Sequence, residues 1–274
     1  MSLNDRSILK ANDDLSVTYT SSSGKPVNAL AGINLNIKDG EFVTIIGPSG
    51  CGKSTLLQCF GGLLSPTIGE ISVDNKPLVA ADPKLAAFVF QEYTLLPWKN
   101  IVDNVSIGLH WAGESKEDCL KKGLEMLELV GLSEVAKSYP RELSGGMQQR
   151  VAVARAMSMD PSILLMDEPF GALDEQTRRH LGWEVCRILT ARGRTVVMVT
   201  HSLDEAIIWA DRIIVLSECP GRIINETHVP TPRPRPLAFI GTPAFAEIRA
   251  ELFRLLETSS ENVQERVADS VVGS

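Results

Sequence analysis

Hydrophobic positions in the first part of the chain form short runs rich in β-branched residues. Residues 42–46 are apolar except for one threonine and carry no charge, which is typical of a strand buried on both faces. Strands are also predicted at 15–19, 33–37 and 69–73. After residue 46 the chain passes through several glycines into 54–60, which has the composition of the first turns of a helix. This order of strand, glycine loop and helix predicts an α/β protein.

The pattern changes to helical spacing in the middle of the chain. Leu120, Leu124, Leu127 and Val130 recur at that spacing with charged residues between them. We therefore predict a helical subdomain over about 100–157. Its apolar face is interpreted as part of the core in preference to a partner surface.

The C-terminal region alternates proline and arginine before a short helical pattern. Residues 230–236 are predicted to be extended, because proline removes amide donors and fixes φ, and we interpret them as a semi-rigid linker. A short amphipathic helix is expected at 244–256. The polar tail 257–274 is expected to be flexible.

The glycine loop fits the phosphate-binding pattern G-x-x-x-x-G-K-[ST]. Its residues are Gly47, Pro48, Ser49, Gly50, Cys51, Gly52, Lys53 and Ser54. Glycines let backbone N–H groups turn towards a phosphate, and the following helix N-terminus favours an anion. Lys53 would reach the β- and γ-phosphates, and the Ser54 hydroxyl would bind Mg²⁺. A glycine turn with a surface lysine is the alternative, and it does not explain Lys-Ser at these two positions.

Cys51 lies within this loop, just before the helix start. The positive potential there favours a thiolate, so we expect Cys51 to react faster than the other four cysteines.

A second apolar run, 162–166, precedes two carboxylates. A strand of this kind suits the centre of a parallel sheet, and ligands bind at the carboxyl ends of such strands. Asp167 could bind Mg²⁺ directly or through water, and Glu168 could polarise an attacking water. An ordinary strand-to-loop transition with solvated carboxylates is the alternative.

Ser144 is predicted to cap a helix whose first turn contains Gly145 and Gly146. Each glycine costs about 1 kcal/mol of helix stability relative to alanine. The functional interpretation is a close approach of backbone to a phosphate. The alternative is a poorly formed helix start.

Residues 143–150 resemble the signature motif of the ATP-binding cassette (ABC) ATPases, and further motifs occur in that family's order. The loop 47–54 resembles Walker A, and 163–167 resembles Walker B, with Glu168 at the position of the catalytic glutamate. The resemblance covers roughly 12–230. It implies a phosphate-loop NTPase core joined to an antiparallel β subdomain and a helical signature subdomain, all within one domain over 1–256.

Four further residues take their roles from this resemblance. Gln91 matches the Q-loop glutamine that contributes to catalysis and to the metal site, although its assignment depends wholly on its flanking residues. Asp174 ends a segment that resembles the D-loop. His201 matches the switch histidine; the alternative is an ordinary hydrogen-bonding histidine after a strand. Tyr19 matches the aromatic residue that stacks on adenine, or is simply packed at a strand end.

The resemblance also implies the ligands and a dimer. ATP would contact the loop and Thr55, with Lys53, Gln91, Glu168 and His201 acting in hydrolysis and Ser54, Gln91 and Asp167 at Mg²⁺. In a homodimer, Ser144, Gly145 and Gly146 of one copy would face the nucleotide held by the other.

Residues 95–98, 219–222 and the Pro-Arg-Pro-Arg segment resemble the nitrate/sulfonate/taurine importer ATPases. That branch implies a separate transmembrane permease, an indirect solute-binding protein outside the cell, and a peripheral location on the cytoplasmic face of the membrane. A non-transport ABC ATPase acting on a macromolecular partner is the alternative.

Composition agrees with these expectations. The 274 residues have a net charge of −7, so no basic excess indicates nucleic-acid binding. No run of about 18 apolar residues is long enough to span a membrane, and the N-terminus lacks a signal-peptide profile. Five scattered cysteines without a C-x-x-C pair favour reduced thiols over disulfides or a zinc site.

Overall fold

The computed structural model describes residues 6–21, 24–171 and 173–272, with side chains as far as 258. The chain forms two compact units. The first consists of residues up to Ala80 together with those from Val199 onward, and the second of Ala81–Met198. The second unit is broader than the predicted insert 100–157, because it also includes three strands and a further helix.

In chain order the strands are β1 (Ser7–Thr20), β2 (Pro26–Lys38), β3 (Phe42–Ile46), β4 (Ile68–Val73), β5 (Lys76–Pro77), β6 (Ala86–Val89), β7 (Ile163–Asp167), β8 (Thr195–Val199), β9 (Arg212–Leu216) and β10 (Ile223–His228). The α-helices are α1 (Lys53–Phe60), α2 (Ile101–Trp111), α3 (Lys116–Leu129), α4 (Gly145–Ser158), α5 (Glu175–Ala191), α6 (Leu203–Trp209) and α7 (Pro243–Val272). Short 3₁₀ turns lie at Ser133–Val135, Pro140–Glu142 and Leu237–Gly241.

The first unit contains an antiparallel sheet in the order β2-β1-β4-β5. Strand β1 is longer than predicted, because Leu9 and Ala11 are also buried in it. Asp13 and Asp14 interrupt its apolar alternation, with φ values of 57° and 53° at a shift in pairing register. This local break explains why the sequence pattern showed only the second half of the strand.

Strand β3 is also part of the first unit and leads directly into the glycine loop. It pairs in parallel with β9, placing Ile45 opposite Ile214, and β10 runs antiparallel to β9. All five residues of β3 are buried, as the apolar run predicts. The loop therefore begins at the carboxyl end of a strand that is fixed by packing on both faces.

In the second unit, β6 and β7 run parallel, with Ala86 opposite Ile163, and β8 lies beside β7. Helices α2, α3 and α4 pack against one another. Their bounds agree with the prediction of a helical signature subdomain, and the antiparallel sheet of the first unit agrees with the predicted β subdomain.

The predicted core face of α3 is wrong in part. Leu127 is fully buried, but Leu120 and Leu124 are 50% and 40% exposed. The contact face instead includes Gly123, where a Cβ would lie 2.8 Å from Val102 Cγ2 of α2. Close approach at the glycine turns the two leucines outward.

The C-terminal elements also differ from prediction. The segment 230–236 has no regular secondary structure, as expected, but Arg235 is only 2% exposed, so the segment is packed and is not a linker. Helix α7 begins at Pro243 and continues to Val272, past the predicted end at 256, in a stretch without further glycine or proline. Among the described residues, no helix combines the length and apolar character needed to cross a membrane.

Candidate functional site

The loop between β3 and α1 has a backbone that suits an anionic ligand. Gly52 is the N-cap residue of α1 with a φ of 98°, and a Cβ there would lie 2.8 Å from Ala29 O. Only glycine fits this conformation and this close approach. Because Gly52 has no side chain, it supplies no oxygen to cap the first amides of α1. Phosphate oxygens are suitable acceptors for amides at such a helix start.

The other short helices begin differently. Each of α2 to α6 has a side-chain cap, supplied in turn by Asn100, Ser115, Ser144, Asp174 and Ser202. A side-chain cap satisfies amides that would otherwise require another acceptor. The glycine start of α1 therefore distinguishes it from its neighbours.

Lys53 lies against the same loop. Its side chain is buried, and Nζ donates hydrogen bonds to Gly47 O at 2.8 Å and to Pro48 O at 2.7 Å. The positive charge is therefore placed within the loop that the sequence predicted to bind phosphate. Ser54, in the first turn of α1, is exposed.

Cys51 does not have the environment that the sequence predicted. Its side chain is 1% exposed. Burial raises the pKa of the Cys51 thiol, and this effect exceeds the opposing effect of the nearby Lys53 charge. The expectation of a favoured thiolate is therefore wrong, because loss of solvent outweighs the positive potential of the loop.

Tyr19 lies beside the first turn of α1. Its hydroxyl donates to Thr55 Oγ1 at 3.3 Å, and the side chain is 39% exposed. A partly exposed aromatic residue next to the phosphate loop fits the predicted adenine contact, which stays a prediction.

His201 is held between two anchored residues. Thr200 Oγ1 donates to Glu205 Oε2 at 2.6 Å, and the backbone N–H of Ser202 donates to Thr200 Oγ1 at 3.1 Å. Ser202 in turn caps α6 by accepting from the N–H of Glu205. The exposed His201 is thus placed at the junction of β8 and α6.

In the second unit, the two carboxylates lie at the carboxyl end of β7 as predicted. Asp167 is the last residue of β7, and Glu168 has a φ of 43°. Positive φ is uncommon for a non-glycine residue and often marks a functional position. The N–H of Gly171 donates to Glu168 O at 3.0 Å, which holds the turn that carries this carboxylate.

The structure brings Gln91 and Glu168 together around Gly171. A Cβ on Gly171 would lie 3.3 Å from Gln91 Nε2 and 3.6 Å from Glu168 Oε2. The two side chains therefore lie on the same side of Gly171, so the amide and the carboxylate are near neighbours. Their predicted roles in one reaction stay a prediction.

The signature segment begins α4 as predicted. Ser144 Oγ accepts from the N–H of Met147 at 3.4 Å. A Cβ on Gly145 would lie 2.9 Å from the Tyr93 hydroxyl, so this glycine also makes room for an aromatic side chain within the chain. Burial raises the pKa of the Tyr93 hydroxyl above its ordinary value. Gly146 is close to Thr177 of α5.

Two arginines near these motifs were missed by the sequence analysis. Arg155 of α4 donates to Tyr93 O at 3.0 Å and to Thr94 O at 2.8 Å, which attaches the segment after Gln91 to the signature helix. Burial lowers the pKa of Arg155. The only available signal was a charged residue inside the apolar run 151–157.

The second arginine, Arg178 of α5, donates to the carbonyl oxygens of Phe170 at 3.0 Å and Leu173 at 2.8 Å. Asp174 caps α5 by accepting from the N–H of Thr177 at 3.0 Å, and hydrogen bonds from Thr177 lower the pKa of Asp174. Ala172, within the predicted D-loop, lies outside the described residues. The residues on either side of it are held by Arg178, which donates to their main-chain carbonyl oxygens.

The predicted site residues divide between the two units. Tyr19, the loop with Thr55, and His201 belong to the first. Gln91, the signature residues, Asp167, Glu168 and Asp174 belong to the second. No group of three or more His, Cys, Asp or Glu side chains that could hold a metal occurs within the described part of the chain.

The glycine loop, the capped signature helix and the carboxylate pair define a phosphate-loop ATPase of the cassette type. The family model described as "ABC transporter" matches residues 30–171. The chain belongs to this family, and it is an ATP-binding ATPase.

Similar proteins agree with this assignment. An uncharacterized ABC transporter ATP-binding protein of Methanocaldococcus jannaschii is 43% identical over 86% of this chain and 86% of its own. The aliphatic sulfonates import ATP-binding protein of Bacillus cereus is 41% identical over 87% and 92%. The taurine import ATP-binding protein of Rhizobium johnstonii is 38% identical over 91% and 97%.

Among solved structures, a dimeric ATP-binding cassette in a post-hydrolysis state, bound to ADP and phosphate, has a TM-score of 0.72 and 36% identity. It covers 82% of this chain and all of its own. The predicted fold class and the resemblance to the importer branch are confirmed.

Proposed function

We propose that this chain is the ATP-hydrolysing subunit of an importer that takes up a small anionic solute of the sulfonate, taurine or nitrate type through a separate permease. The observation that carries the ATP-hydrolysing role is the glycine start of α1, with Lys53 donating to the loop carbonyls of Gly47 and Pro48. Relatives named for sulfonate and taurine import support the solute class.

The phosphate loop and Lys53 would bind the triphosphate. The hydroxyl of Ser54, the carboxylate of Asp167 and the amide oxygen of Gln91 would hold Mg²⁺. These are hard oxygen donors, and Mg²⁺ commonly uses one or two carboxylates together with substrate phosphates and water. The ion would supply neutralisation of the charge that develops on the transferred phosphoryl group.

Glu168 would orient and polarise the attacking water, with Gln91 beside it. His201, at the junction of β8 and α6, would contact the γ-phosphate. In a homodimer, Ser144, Gly145 and Gly146 would act on the nucleotide of the other copy, and the dimeric cassette among the solved structures supports this arrangement.

The role of Glu168 is tested by the substitution Glu168→Gln. Loss of a general base typically lowers the rate about 10²–10⁴-fold, so we expect steady-state hydrolysis to fall by that factor while ATP still binds. Phosphate release and equilibrium nucleotide binding measure the two quantities. The neighbouring change Glu175→Gln is the control, because Glu175 lies in the first turn of α5 and has no assigned role. Near-normal turnover in Glu168→Gln would remove Glu168 from catalysis.

The transport proposal is tested by expressing the chain together with the products of the genes that flank its own gene, among which we expect a permease and a solute-binding protein. We expect the ATPase to copurify with the permease at the membrane. We also expect ATP-dependent uptake, in vesicles, of the anion that the binding protein takes. Association with a macromolecular complex and no permease would favour the non-transport alternative. Uptake of an unrelated solute would leave the importer assignment in place and reject the solute class.

A further inference from the structure

The Pro-Arg-Pro-Arg segment holds the carboxyl end of α6 through one buried guanidinium. Arg235 is 2% exposed, and one of its terminal nitrogens donates to Ile207 O at 3.1 Å, Ile208 O at 2.9 Å and Ala210 O at 2.8 Å. Carbonyls in the last turn of a helix have no partner within the helix. Arg235 supplies these partners from outside α6.

The remaining donors of Arg235 are also used. Nε donates to Thr231 O at 2.7 Å, the other terminal nitrogen donates to Val229 O at 3.3 Å, and the guanidinium carbon lies 5.8 Å from the Phe239 ring centre. A cation at a helix carboxyl end is favoured by the helix dipole. Burial lowers the pKa of Arg235 to about 10, which leaves it charged at neutral pH.

Arg233 attaches the same segment to the start of β3. It donates to Asp211 Oδ2 at 2.6 Å, and that oxygen also accepts from the N–H of Phe42 at 2.9 Å. Its guanidinium carbon lies 5.3 Å from the Phe42 ring centre. The segment is therefore also attached to Asp211 and Phe42 of the first unit, and this attachment fixes the position of Arg235.

The opposite end of α6 carries His201. Thr200 and Ser202, on either side of it, are hydrogen-bonded to each other and to Glu205 in the first turn of the helix. Helix α6 has seven residues and is about 10 Å long. Three of its last residues, Ile207, Ile208 and Trp209, are buried. A short, buried helix moves as a rigid element, so a shift at its carboxyl end displaces its amino end as well.

We propose that Arg235 is a positioning residue for ATP hydrolysis, which fixes α6 and thereby the place of His201. The proposal rests on the role given to His201 above. It predicts that Arg235 affects the chemical step more than nucleotide binding, because its hydrogen bonds reach the end of α6 and its own segment.

The experiment compares Arg235→Gln and Arg235→Lys with the unaltered full-length chain. A displacement of about 1 Å in a catalytic group can lower a rate by up to about 10²-fold, so we expect kcat of Arg235→Gln to fall about tenfold or more. The KM for ATP should change less than about twofold. Arg235→Lys should recover part of the loss, since it keeps the charge but has fewer donors.

The control variant is Arg254→Gln. Arg254 is an exposed residue of α7 that donates to Ala250 O of its own helix, so this change alters charge by the same amount without reaching α6. Its kcat should equal that of the unaltered chain.

A change in the environment of His201 can be detected directly by NMR of its imidazole ring. The chain has four histidines, so His201 is assigned by the loss of one signal set in His201→Ala. We expect the His201 resonances to move in Arg235→Gln, while those of His110 and His180, in the other unit, stay in place. A purely structural role would lower the unfolding temperature and leave the His201 signals of the folded protein unchanged.

The double variant Arg235→Gln/His201→Ala separates the two proposals. If Arg235 acts through His201, its substitution causes no further loss of residual hydrolysis in the His201→Ala background. Additive losses, or unchanged His201 resonances and kcat in folded Arg235→Gln, would overturn the positioning role. Full activity of His201→Ala alone would instead overturn the proposed role of His201.

Arg235→Gln removes a buried hydrogen-bond donor and could prevent folding. In that case Glu205→Gln supplies the same test from the other end of α6, because it weakens the acceptor of Thr200 Oγ1. We expect the same movement of His201 resonances and the same fall of kcat at constant KM. Glu205→Gln with normal kcat and normal His201 signals would overturn the proposal.

Discussion

At the scale of single residues, two cysteines differ in thiol reactivity because one is buried and the other is exposed. Cys51 is 1% exposed and its pKa is raised by burial, whereas Cys219 is exposed on the turn between β9 and β10. That turn packs over the phosphate loop, since a Cβ on Gly221 would overlap the Cys51 carbonyl oxygen. The thiolate is the reactive form, and each unit of raised pKa lowers its fraction about tenfold at neutral pH.

We therefore expect maleimide at pH 7 to label Cys219 first, with Cys51, Cys59, Cys119 and Cys186 labelled much more slowly. Cys59 is the extreme case, because burial raises its pKa to about 12. Peptide mapping by mass spectrometry after short exposure measures the order. Raising the pH should increase labelling of Cys51, since a group with a raised pKa forms its thiolate only in more alkaline solution.

The control for this experiment is Cys219→Ser, which should remove the fast phase and leave the slow one. Labelling of Cys51 at the rate of Cys219 would contradict the burial argument. It would restore the view that the positive potential of the loop controls this thiol.

Single residues also show how far sequence can predict the site. The positions of the loop 47–54 and of Ser144 were predictable because backbone conformation demands glycine or a cap there. Those of Asp167 and Glu168 were predictable because both come at the end of a buried apolar strand. The contacts of Arg155 and Arg178 were not, since most of their acceptors are main-chain carbonyls. A carbonyl acceptor leaves no trace in residue type, so only the fold shows which arginine reaches it.

At the scale of elements, periodicity identified helices and strands but not always their contact faces. The run of β3 was predicted correctly because all its residues are buried and its pattern has no competing face. Helix α3 was predicted with its leucines inward, and close packing at Gly123 turns Leu120 and Leu124 outward. A glycine contact adds no hydrophobic residue to the pattern, so the rotation of the helix could not be predicted from spacing.

This contact is tested by two glycine substitutions in the helical region. A Cβ at position 123 would lie 2.8 Å from Val102 Cγ2 and 3.1 Å from Val102 O, a β-branched side chain and a backbone atom that cannot move easily. We expect Gly123→Ala to destabilise the protein by about 1–3 kcal/mol, the usual range for overpacking, less the helix-propensity gain. The midpoint of urea unfolding measures this change.

Gly108→Ala is the matched variant in α2. A Cβ there would meet Met159 Sδ at 2.9 Å and Cγ at 3.0 Å, which belong to a flexible side chain. We expect this change to be neutral or to stabilise by up to about 1 kcal/mol through helix propensity. Equal destabilisation by both substitutions would show that the stiffness of Val102 does not decide the outcome.

At the scale of the whole molecule, the proposed mechanism requires two copies. Of the signature residues, Ser144 caps α4, and Gly145 and Gly146 lie in its first turn. Their predicted ligand is the nucleotide of a facing copy. The dimeric cassette among the solved structures has the fold of this chain, with a TM-score of 0.72. Action across a dimer makes a prediction that single variants cannot test, because loss of either half of a site inactivates a symmetric dimer.

The prediction concerns mixtures of Lys53→Ala and Ser144→Arg. Each variant alone should have little activity, since every site lacks either its lysine or its signature. In a mixed dimer one site combines the intact loop of one copy with the intact signature of the other. Random pairing of equal amounts then restores about a quarter of all sites. Steady-state phosphate release from the mixture, compared with each variant alone, measures this recovery.

Two controls make the outcome decisive. A mixture of equal amounts of the unaltered chain and Lys53→Ala calibrates the activity of a single site. About half of its dimers have one intact site, and the activity of the unaltered homodimers, about a quarter of the dimers, is subtracted. Ser115→Arg removes the cap of α3, as Ser144→Arg removes that of α4, and each loss costs about 1 kcal/mol of helix stability. Ser115→Arg should therefore share any folding defect but keep hydrolysis. If the calibrating mixture is more active than its unaltered homodimers alone and the mixture of variants is inactive, Ser144 acts on the nucleotide of its own chain.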